Sequence, residues 1–162
     1  MLRRFTGTVE PFAECNVTDL ITWITDIPFD AWPQQTPADD GGLRPAMVND
    51  PAWYDFGKAT DPLVHTFLDR WFVGAADQHR MLSVVMPGHT IPTHADAQAP
   101  DWLCRVHVPL TTNPRAGLGM PDGAWWLRVG RAYRLNTEVP HAIWNYGPTP
   151  RIHFMFDVVA AP

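Results

Sequence analysis

Lysine is almost missing from this sequence, since Lys58 is the only lysine among 12 Lys and Arg residues. The other cationic side chains are arginines that form no basic run, and the formal net charge is -5. Binding to nucleic acid or to an anionic membrane surface requires clustered positive charge. The sequence therefore predicts that neither nucleic acid nor a membrane is a partner.

Long apolar runs and cysteines are also scarce. No run is long enough to cross a bilayer, and no apolar segment follows the two arginines near the start, so we expect a cytoplasmic protein. Cys15 and Cys104 are the only cysteines and lie far apart, so we expect both to be reduced. A chain of 162 residues that is 46% hydrophobic can form one domain without a disulfide or a structural metal.

Two helices are predicted in the N-terminal half. Apolar residues recur at helical spacing over residues 16–27, behind a cap at Asn16 or Thr18. A second helix is predicted over residues 61–72, with Asp61 as its N-cap and a proline at the first helical position.

A long loop is predicted between these helices, over residues 33–51, which are rich in Pro, Gly and Asp. Long loops in compact domains often cover functional sites. Arg44 within the loop, and Trp32 and Trp53 beside it, are therefore candidate substrate contacts.

After about residue 80 the pattern changes to short alternating segments rich in β-branched and aromatic residues, separated by Pro, Gly and Asn. Seven or eight such strands fit a jelly roll or a related double-sheet barrel. We therefore predict one domain over residues 1–162, in which a helical and loop region (1–79) packs on a β core (80–158). The segments are MLSVVMPG, HTIPTHAD, WLCRVHVPL, AWWLRVG, RAYRLN, HAIWNYG and RIHFMFDVV.

Two of these strands have one wholly apolar face and one mixed face. Alternation places Arg105 and His107 on one face of the first strand, and Arg151, His153 and Asp157 on one face of the second. A single mixed face is explained by exposure to water. Two inward arginines would instead require a bound anion, and a dicarboxylate would suit them.

His94, Asp96 and the later His141 are candidate metal ligands. Positions i and i+2 of an extended strand project from the same face, so His94 and Asp96 can bind one ion together. Two imidazoles and one carboxylate on one side of a metal leave open positions, as in non-haem iron(II) oxygenases. Read alone, however, the H-x-D pair fits equally well the polar end of a strand.

Three blocks of the sequence resemble the aspartyl/asparaginyl β-hydroxylase family of Fe(II)- and 2-oxoglutarate-dependent dioxygenases. The similarity covers about residues 80–158. It implies a mainly β fold, the double-stranded β-helix (jelly-roll, cupin-like), in agreement with the strand count. The blocks are LSVVMPGHTIPTHAD, CRVHVPLTTNP and LNTEVPHAIWNYGPTPRIHFMFDV.

The resemblance implies a metal site made by His94, Asp96 and His141, the three residues that match the family's Fe(II) ligands. Some members of the family have glycine at the position of Asp96 and bind iron with two histidines. The carboxylate at this position argues against a halogenating variant, in which a halide takes its place.

The resemblance also implies a site for 2-oxoglutarate. Arg151, ten residues after His141, matches the arginine that pairs with the distal carboxylate of this cosubstrate, assisted by Ser83. Arg105 and His107 match an Arg-x-His pair near the carboxylate beside the keto group. The two mixed-face strands thus carry the residues that match the family's cosubstrate site.

The implied activity is hydroxylation of an unactivated C–H bond with O2 and 2-oxoglutarate, releasing succinate and CO2. The substrate stays open among an amino acid, an amino-acid-like small molecule and a peptidyl Asp or Asn. One alternative is a non-redox cupin-like metalloprotein using Zn, Ni or Mn as an isomerase or hydrolase. Another is a catalytically silent barrel that only binds.

Overall fold

The computed structural model describes residues 3–26, 46–47 and 54–161 of the chain. These residues form two antiparallel sheets and two helices. The strands are β1 (Val9–Glu14), β2 (Ala46–Met47), β3 (Ala75–Val85), β4 (His89–His94), β5 (Trp102–Thr111), β6 (Ala116–Met120), β7 (Gly123–Trp125), β8 (Arg131–Leu135), β9 (His141–Asn145) and β10 (Arg151–Ala160). The helices are α1 (Thr18–Asp26) and α2 (Tyr54–Trp71).

The two sheets have the arrangement of a double-stranded β-helix, which confirms the predicted fold class. The larger sheet has the order β1-β8-β5-β10-β3-β2, and the smaller sheet has the order β4-β9-β6-β7. Strand β10 lies in the middle of the larger sheet and pairs with both β5 and β3. Residues on β10 are therefore shielded from solvent along both edges.

The outer face of the larger sheet packs against the two helices. Phe156 of β10 stacks on Phe67 of α2 with ring centroids 6.3 Å apart, and both rings belong to one buried apolar cluster. Cys104 is buried in the same cluster and Cys15 packs against it, and both thiols are free. The apolar faces of β5 and β10 thus form the main core.

The inner face of the larger sheet is turned toward the smaller sheet. Leu135 of β8 and Val85 of β3 share a second apolar cluster with Ile143 of the smaller sheet. Leu135 pairs directly with Arg105, and Val85 pairs directly with Arg151. Because directly paired residues project from the same face of a sheet, both arginines point into the space between the sheets. The mixed faces are inward, and exposure to water does not explain them.

Each of the seven predicted strand segments contains a strand, but AWWLRVG is a strand only up to Trp125. Strands β1, β2 and β6 were not predicted. Glycine is uncommon in strands, so the two glycines of β6 weaken its strand signal in the sequence. In the structure, a Cβ atom at Gly117 would lie 2.4 Å from the ring of Trp144, so this close approach requires glycine. Strand β3 begins at Ala75 and runs across the predicted boundary at residue 80.

Helix α1 agrees with its prediction over the described residues. The Thr18 backbone N–H donates to Asn16 Oδ1 at 3.0 Å, which identifies Asn16 as the cap. The prediction for α2 was wrong at its start, since the helix begins at Tyr54 and contains Pro62 in its interior. Asp61 does not cap the helix and instead pairs with Arg80 of β3. Arg80 also donates to the Gly57 carbonyl at 3.0 Å, and these contacts hold the first turns of α2 on the sheet.

The predicted loop over residues 33–51 lies outside the described residues, except for Ala46 and Met47, which pair with β3 as β2. Trp32, Arg44 and Trp53 also lie outside them, so their proposed contacts with a substrate stay predictions. Neither helix, within the described part of the chain, has an apolar stretch of the length that crossing a bilayer requires.

Candidate active site

His94, Asp96 and His141 come together where β4 ends and β9 begins. The two strands pair antiparallel, and His94 lies directly opposite His141. The ring centroids are 4.3 Å apart, and His94 Nε2 lies 3.7 Å from Asp96 Oδ1. One ligand atom from each residue lies within 4.8 Å of the other two. The three side chains are close enough to bind one metal ion.

The backbone orients both imidazoles of this triad. His94 Nδ1 lies 2.8 Å from the Pro92 carbonyl oxygen, and His141 Nδ1 lies 3.0 Å from the Val139 carbonyl oxygen. A carbonyl only accepts hydrogen bonds, so each Nδ1 carries the proton and each Nε2 keeps its lone pair. Metal-binding histidines are commonly oriented in this way by the ring nitrogen that does not bind. The two Nε2 atoms are thus prepared as metal ligands.

The triad is buried on one side and open on the other. The side chains of His94 and Asp96 are 40% and 24% exposed, whereas His141 is buried. Burial lowers the pKa of His141, with a smaller contribution from His94, against opposing effects of the Val139 carbonyl and Asp96. A lowered pKa favours the neutral imidazole, which is the form that binds a metal. The donor set therefore fits a divalent ion with positions left for small ligands.

Arg105 connects the triad to the buried carboxylate of Asp157. Its Nη1 donates to Asp96 Oδ2 at 2.6 Å, while Nε and Nη2 donate to the two oxygens of Asp157 at 2.8 and 2.9 Å. Burial alone would lower the pKa of Arg105, but hydrogen bonds and negative charge from Asp157 and Asp96 raise it. The contact of Arg105 with a cosubstrate stays a prediction. Its hydrogen bonds to Asp96 and Asp157 were not predicted from the sequence.

A second cluster, formed by Arg151, His153 and His107, lies on the inner face of β10 and β5. Arg151 Nη2 lies 3.1 Å from His153 Nδ1, and His153 Nδ1 lies 3.4 Å from His107 Nδ1. All three side chains are buried, and Ser83, also buried, lies directly opposite His153 on β3. The structure thus brings together three predicted cosubstrate residues and adds His153, which the sequence placed only on the same strand face as Arg151.

This cluster has unused hydrogen-bonding capacity. Among the described residues, no hydrogen-bond partner exists for Arg151 Nη1, His153 Nε2 or His107 Nε2, although all three atoms are buried. No described carboxylate forms an ion pair with Arg151, and burial lowers its pKa to about 9, so the side chain is still charged at pH 7. A buried cation without a counter-ion is unfavourable. The cluster is therefore suited to bind an anion.

His107 connects the other members of this anion cluster to the triad, because it shares one face of β5 with Arg105. Arg105 contacts Asp96 of the triad, and His107 Nδ1 lies 3.4 Å from His153 Nδ1. The pKa of His107 is lowered well below the ordinary value, first by burial and then by nearby positive charge. The two clusters thus lie side by side between the sheets and form one site.

The other polar residues of the three sequence blocks have structural roles or lie outside the site. Asn145 is buried and donates to the Val85 and Thr149 carbonyls at 2.8 Å each, which joins the two sheets at one end. Trp144 packs over Gly117. His89 is exposed, with Nδ1 3.1 Å from the Pro87 carbonyl oxygen.

Two buried residues of the site were not predicted as functional. Asp157 and His153 lie on the same face of β10 as Arg151, and that alternation is the only signal the sequence carried for them. His79, to which the sequence assigned no function, has Nδ1 3.1 Å from Asp157 Oδ2. The contact between His79 and Asp157 depends on an irregularity in the pairing of β3 with β10, which strand alternation does not predict.

Solved structures with this fold include several hydroxylases. The viral collagen prolyl hydroxylase from Paramecium Bursaria Chlorella virus-1, in a 2OG complex, has a TM-score of 0.62 at 12% identity, covering 96% of this chain and 98% of that chain. A Pseudomonas putida prolyl-4-hydroxylase has a TM-score of 0.62 at 16% identity, with coverage of 97% and 95%. AviO1 from Streptomyces viridochromogenes Tue57 has a TM-score of 0.64 at 15% identity, with coverage of 96% and 91%. At these identities the similarity establishes a shared fold alone.

Family membership comes from the sequence. No curated protein matches this chain. A family model described as aspartyl/asparaginyl beta-hydroxylase matches residues 58–161, a range that contains the triad, the anion cluster and Asp157. The chain belongs to the aspartyl/asparaginyl β-hydroxylase family.

Proposed function

We propose that this protein is an Fe(II)- and 2-oxoglutarate-dependent dioxygenase that hydroxylates an unactivated C–H bond and releases succinate and CO2. The observation that carries the proposal is the buried, unpaired guanidinium of Arg151 in the same site as the His94, Asp96 and His141 triad. A metal site alone fits many chemistries. A metal site with a buried anion-binding arginine fits a reaction that uses a carboxylate cosubstrate.

The metal would be held by His94 Nε2, His141 Nε2 and one oxygen of Asp96. When bound, Fe(II) supplies the activation of O2 that hydroxylation of a C–H bond requires. The chain itself orients the ligands through the Pro92 and Val139 carbonyls. The exposed side of the triad, at His94, is the side from which a substrate can reach the metal.

The distal carboxylate of 2-oxoglutarate would bind in the anion cluster. Arginine has no acceptor, so His153 Nδ1 accepts from Arg151 Nη2, and His153 Nε2 therefore carries its proton. Arg151 Nη1 and His153 Nε2 are then two buried donors that a carboxylate would satisfy, and Ser83 is close to them. A charge-assisted pair of this kind is among the stronger hydrogen-bond arrangements in proteins.

The keto end of the cosubstrate would lie toward the triad, beside His107. Of the two residues predicted there, His107 has an unpartnered Nε2 atom, whereas Arg105 is hydrogen-bonded to Asp96 and Asp157. We therefore propose that His107 makes the closer contact and that Arg105 acts mainly on Asp96.

The experiment that tests this proposal is a turnover assay with Fe(II), O2 and 2-oxoglutarate. The substrate panel contains free amino acids, amino-acid-like small molecules and short peptides with Asp or Asn, and mass spectrometry detects the gain of one oxygen atom. We expect succinate formation that depends on both Fe(II) and 2-oxoglutarate and is lost in His94→Ala and His141→Ala. Full turnover by either variant would show that the triad is not the metal site.

A further inference from the structure

Asp157 is a buried carboxylate on β10 that the proposed reaction does not itself use. It is 1% exposed and lies among four hydrogen-bonding nitrogens. Arg105 Nε and Trp102 Nε1 donate to Oδ1 at 2.8 and 3.0 Å, and Arg105 Nη2 donates to Oδ2 at 2.9 Å. His79 Nδ1 lies 3.1 Å from Oδ2. Such dense pairing holds the carboxylate in one orientation.

A bulge between β3 and β10 brings the fourth nitrogen to Asp157. Met155 pairs with Met81 and Asp157 pairs with Gln78, so β3 has one extra residue in this interval. His79 lies there with φ of 52°, an uncommon backbone conformation for a residue other than glycine. The irregular backbone places His79 Nδ1 3.1 Å from Asp157 Oδ2.

The pair between Asp157 and Arg105 determines where the rest of the guanidinium points. Both Asp157 oxygens are engaged by Nε and Nη2, a two-point contact that fixes the plane of the group. Because a guanidinium is rigid, fixing two nitrogens fixes the third. The third nitrogen, Nη1, lies 2.6 Å from Asp96 Oδ2, while Asp96 Oδ1 lies 3.7 Å from His94 Nε2.

We propose that Asp157 is a positioning residue for the metal centre. Through Arg105 it holds one oxygen of Asp96 and leaves the other oxygen as a single ligand atom beside His94 and His141. Without Asp157, Arg105 could turn both of its terminal nitrogens to Asp96 and occupy both oxygens, in competition with the metal ion. This inference rests on the metal centre of the proposed function.

The test measures the binding of Co(II) to metal-free protein by calorimetry, without 2-oxoglutarate. Asp157→Asn keeps the size of the side chain and removes its charge. We expect the Co(II) dissociation constant to rise by about 10- to 100-fold, the usual effect of losing a partner of a metal ligand. The absorption spectrum of bound Co(II) should also change, because Asp96 no longer presents one fixed oxygen.

Arg105→Lys tests the same path of contacts, which runs from Asp157 through Arg105 to Asp96, by changing its central residue. A lysine cannot contact Asp157 at two points and Asp96 at a third, so we expect a loss of Co(II) affinity here as well. The double variant with Asp157→Asn should lose no more affinity than the weaker-binding single variant, since both changes break one path. Additive losses would contradict the proposed path.

Asp77→Asn is the matched control, because Asp77 forms a two-point pair with Arg80 in the same sheet, at 2.6 and 3.2 Å. That pair has no contact with the triad among the described residues. The control should bind Co(II) like the wild type. An equal loss of affinity in Asp77→Asn and Asp157→Asn would overturn the proposal, because it would indicate a general effect of breaking an ion pair.

Thermal unfolding of the metal-free variants separates positioning from a purely structural role. A lower melting temperature with unchanged Co(II) affinity in Asp157→Asn would overturn the proposal. If that variant does not fold, Arg105→Lys decides the question by the same criterion. If the wild-type protein binds no Co(II), both the proposed metal centre and the role of Asp157 are contradicted. If Asp157→Asn binds Co(II) with wild-type affinity, only the role of Asp157 is contradicted.

Discussion

The proposed binding of 2-oxoglutarate depends on Arg151. Arg151 is 2% exposed, and no described residue forms an ion pair with its guanidinium. Arg151→Met removes a buried unpaired charge, so we expect the ligand-free protein to unfold at the same or a higher temperature. Affinity for 2-oxoglutarate in the Co(II)-loaded protein should fall by at least about 30-fold, the equivalent of about 2 kcal/mol.

The control for this prediction is Arg70→Met, which removes an exposed arginine of α2 that stacks on Trp71. It should leave the affinity for 2-oxoglutarate unchanged. Calorimetry measures the affinity, and thermal unfolding measures the stability. Wild-type binding by Arg151→Met would show that the anion site is elsewhere.

His107 and His153 should make the stability of the protein sensitive to mild acid. The pKa of each is lowered well below the ordinary value, first by burial and then by nearby positive charge, so both are neutral in the folded state. The unfolded chain takes up these protons as pH falls below about 6.5, so the folded state loses stability from that pH downward. The expected loss is about 1.4 kcal/mol per pH unit for each histidine until its folded-state pKa is reached.

Urea unfolding of the metal-free protein measures this loss. The measurements run from about pH 8 to about pH 5, the range in which histidine side chains titrate. His153→Gln keeps a neutral polar side chain. It should reduce the slope of the free energy of unfolding against pH by the contribution of one histidine. Parallel stability curves for the variant and the wild type would contradict the assignment of His153 as a buried neutral imidazole.

At the scale of secondary-structure elements, the close packing of β6 against β9 gives a prediction that needs no ligand. A methyl group at Gly117 would meet the Trp144 ring at 2.4 Å, so Gly117→Ala should destabilise the protein by about 1–3 kcal/mol. Gly57 in α2 has nothing within 4 Å of the position of a Cβ atom. Gly57→Ala should therefore stabilise the protein by about 0.5–1 kcal/mol, because alanine favours helix. Equal effects of the two substitutions on the free energy of unfolding would contradict the packing described.

The elements also show how far the sequence could predict the site. Alternation placed Arg105 and His107 on one face of β5, and the H-x-D spacing predicted that two ligands lie close together, because these are local properties of an extended chain. Asp96 itself lies two residues beyond the end of β4. The partners of Arg105 were not predictable in this way. Its contact with Asp157 depends on the register of β5 against β10, and the contact of Asp157 with His79 depends on a bulge.

Prediction failed for the same reason in parts of the fold. Strand β1 is an edge strand that pairs with β8, and β6 contains two glycines, so neither has a strong local signal. Helix α2 extends across Pro62 because Phe56, Val64 and Phe67 bury its apolar side against the sheet. Tertiary packing thus overrides the local preference of proline for a helix start.

At the scale of the whole molecule, the fold brings two incomplete sites together. The smaller sheet carries His94 and His141, and the larger sheet carries the anion cluster and, in Arg105, the arginine that holds Asp96. His107 is the member of the anion cluster that shares a strand face with Arg105, and both clusters open onto the space between the sheets. We propose that this space holds a metal ion and 2-oxoglutarate in direct contact with each other.

An anaerobic titration of the metal-free protein with Fe(II) and then 2-oxoglutarate, followed by visible absorption, detects this direct contact. We expect a metal-to-ligand charge-transfer band that saturates at one equivalent of each and is lost in His141→Ala. Its absence from a folded wild-type protein that binds Fe(II) would contradict the account. That result would favour a non-redox cupin-like metalloprotein or a barrel that only binds.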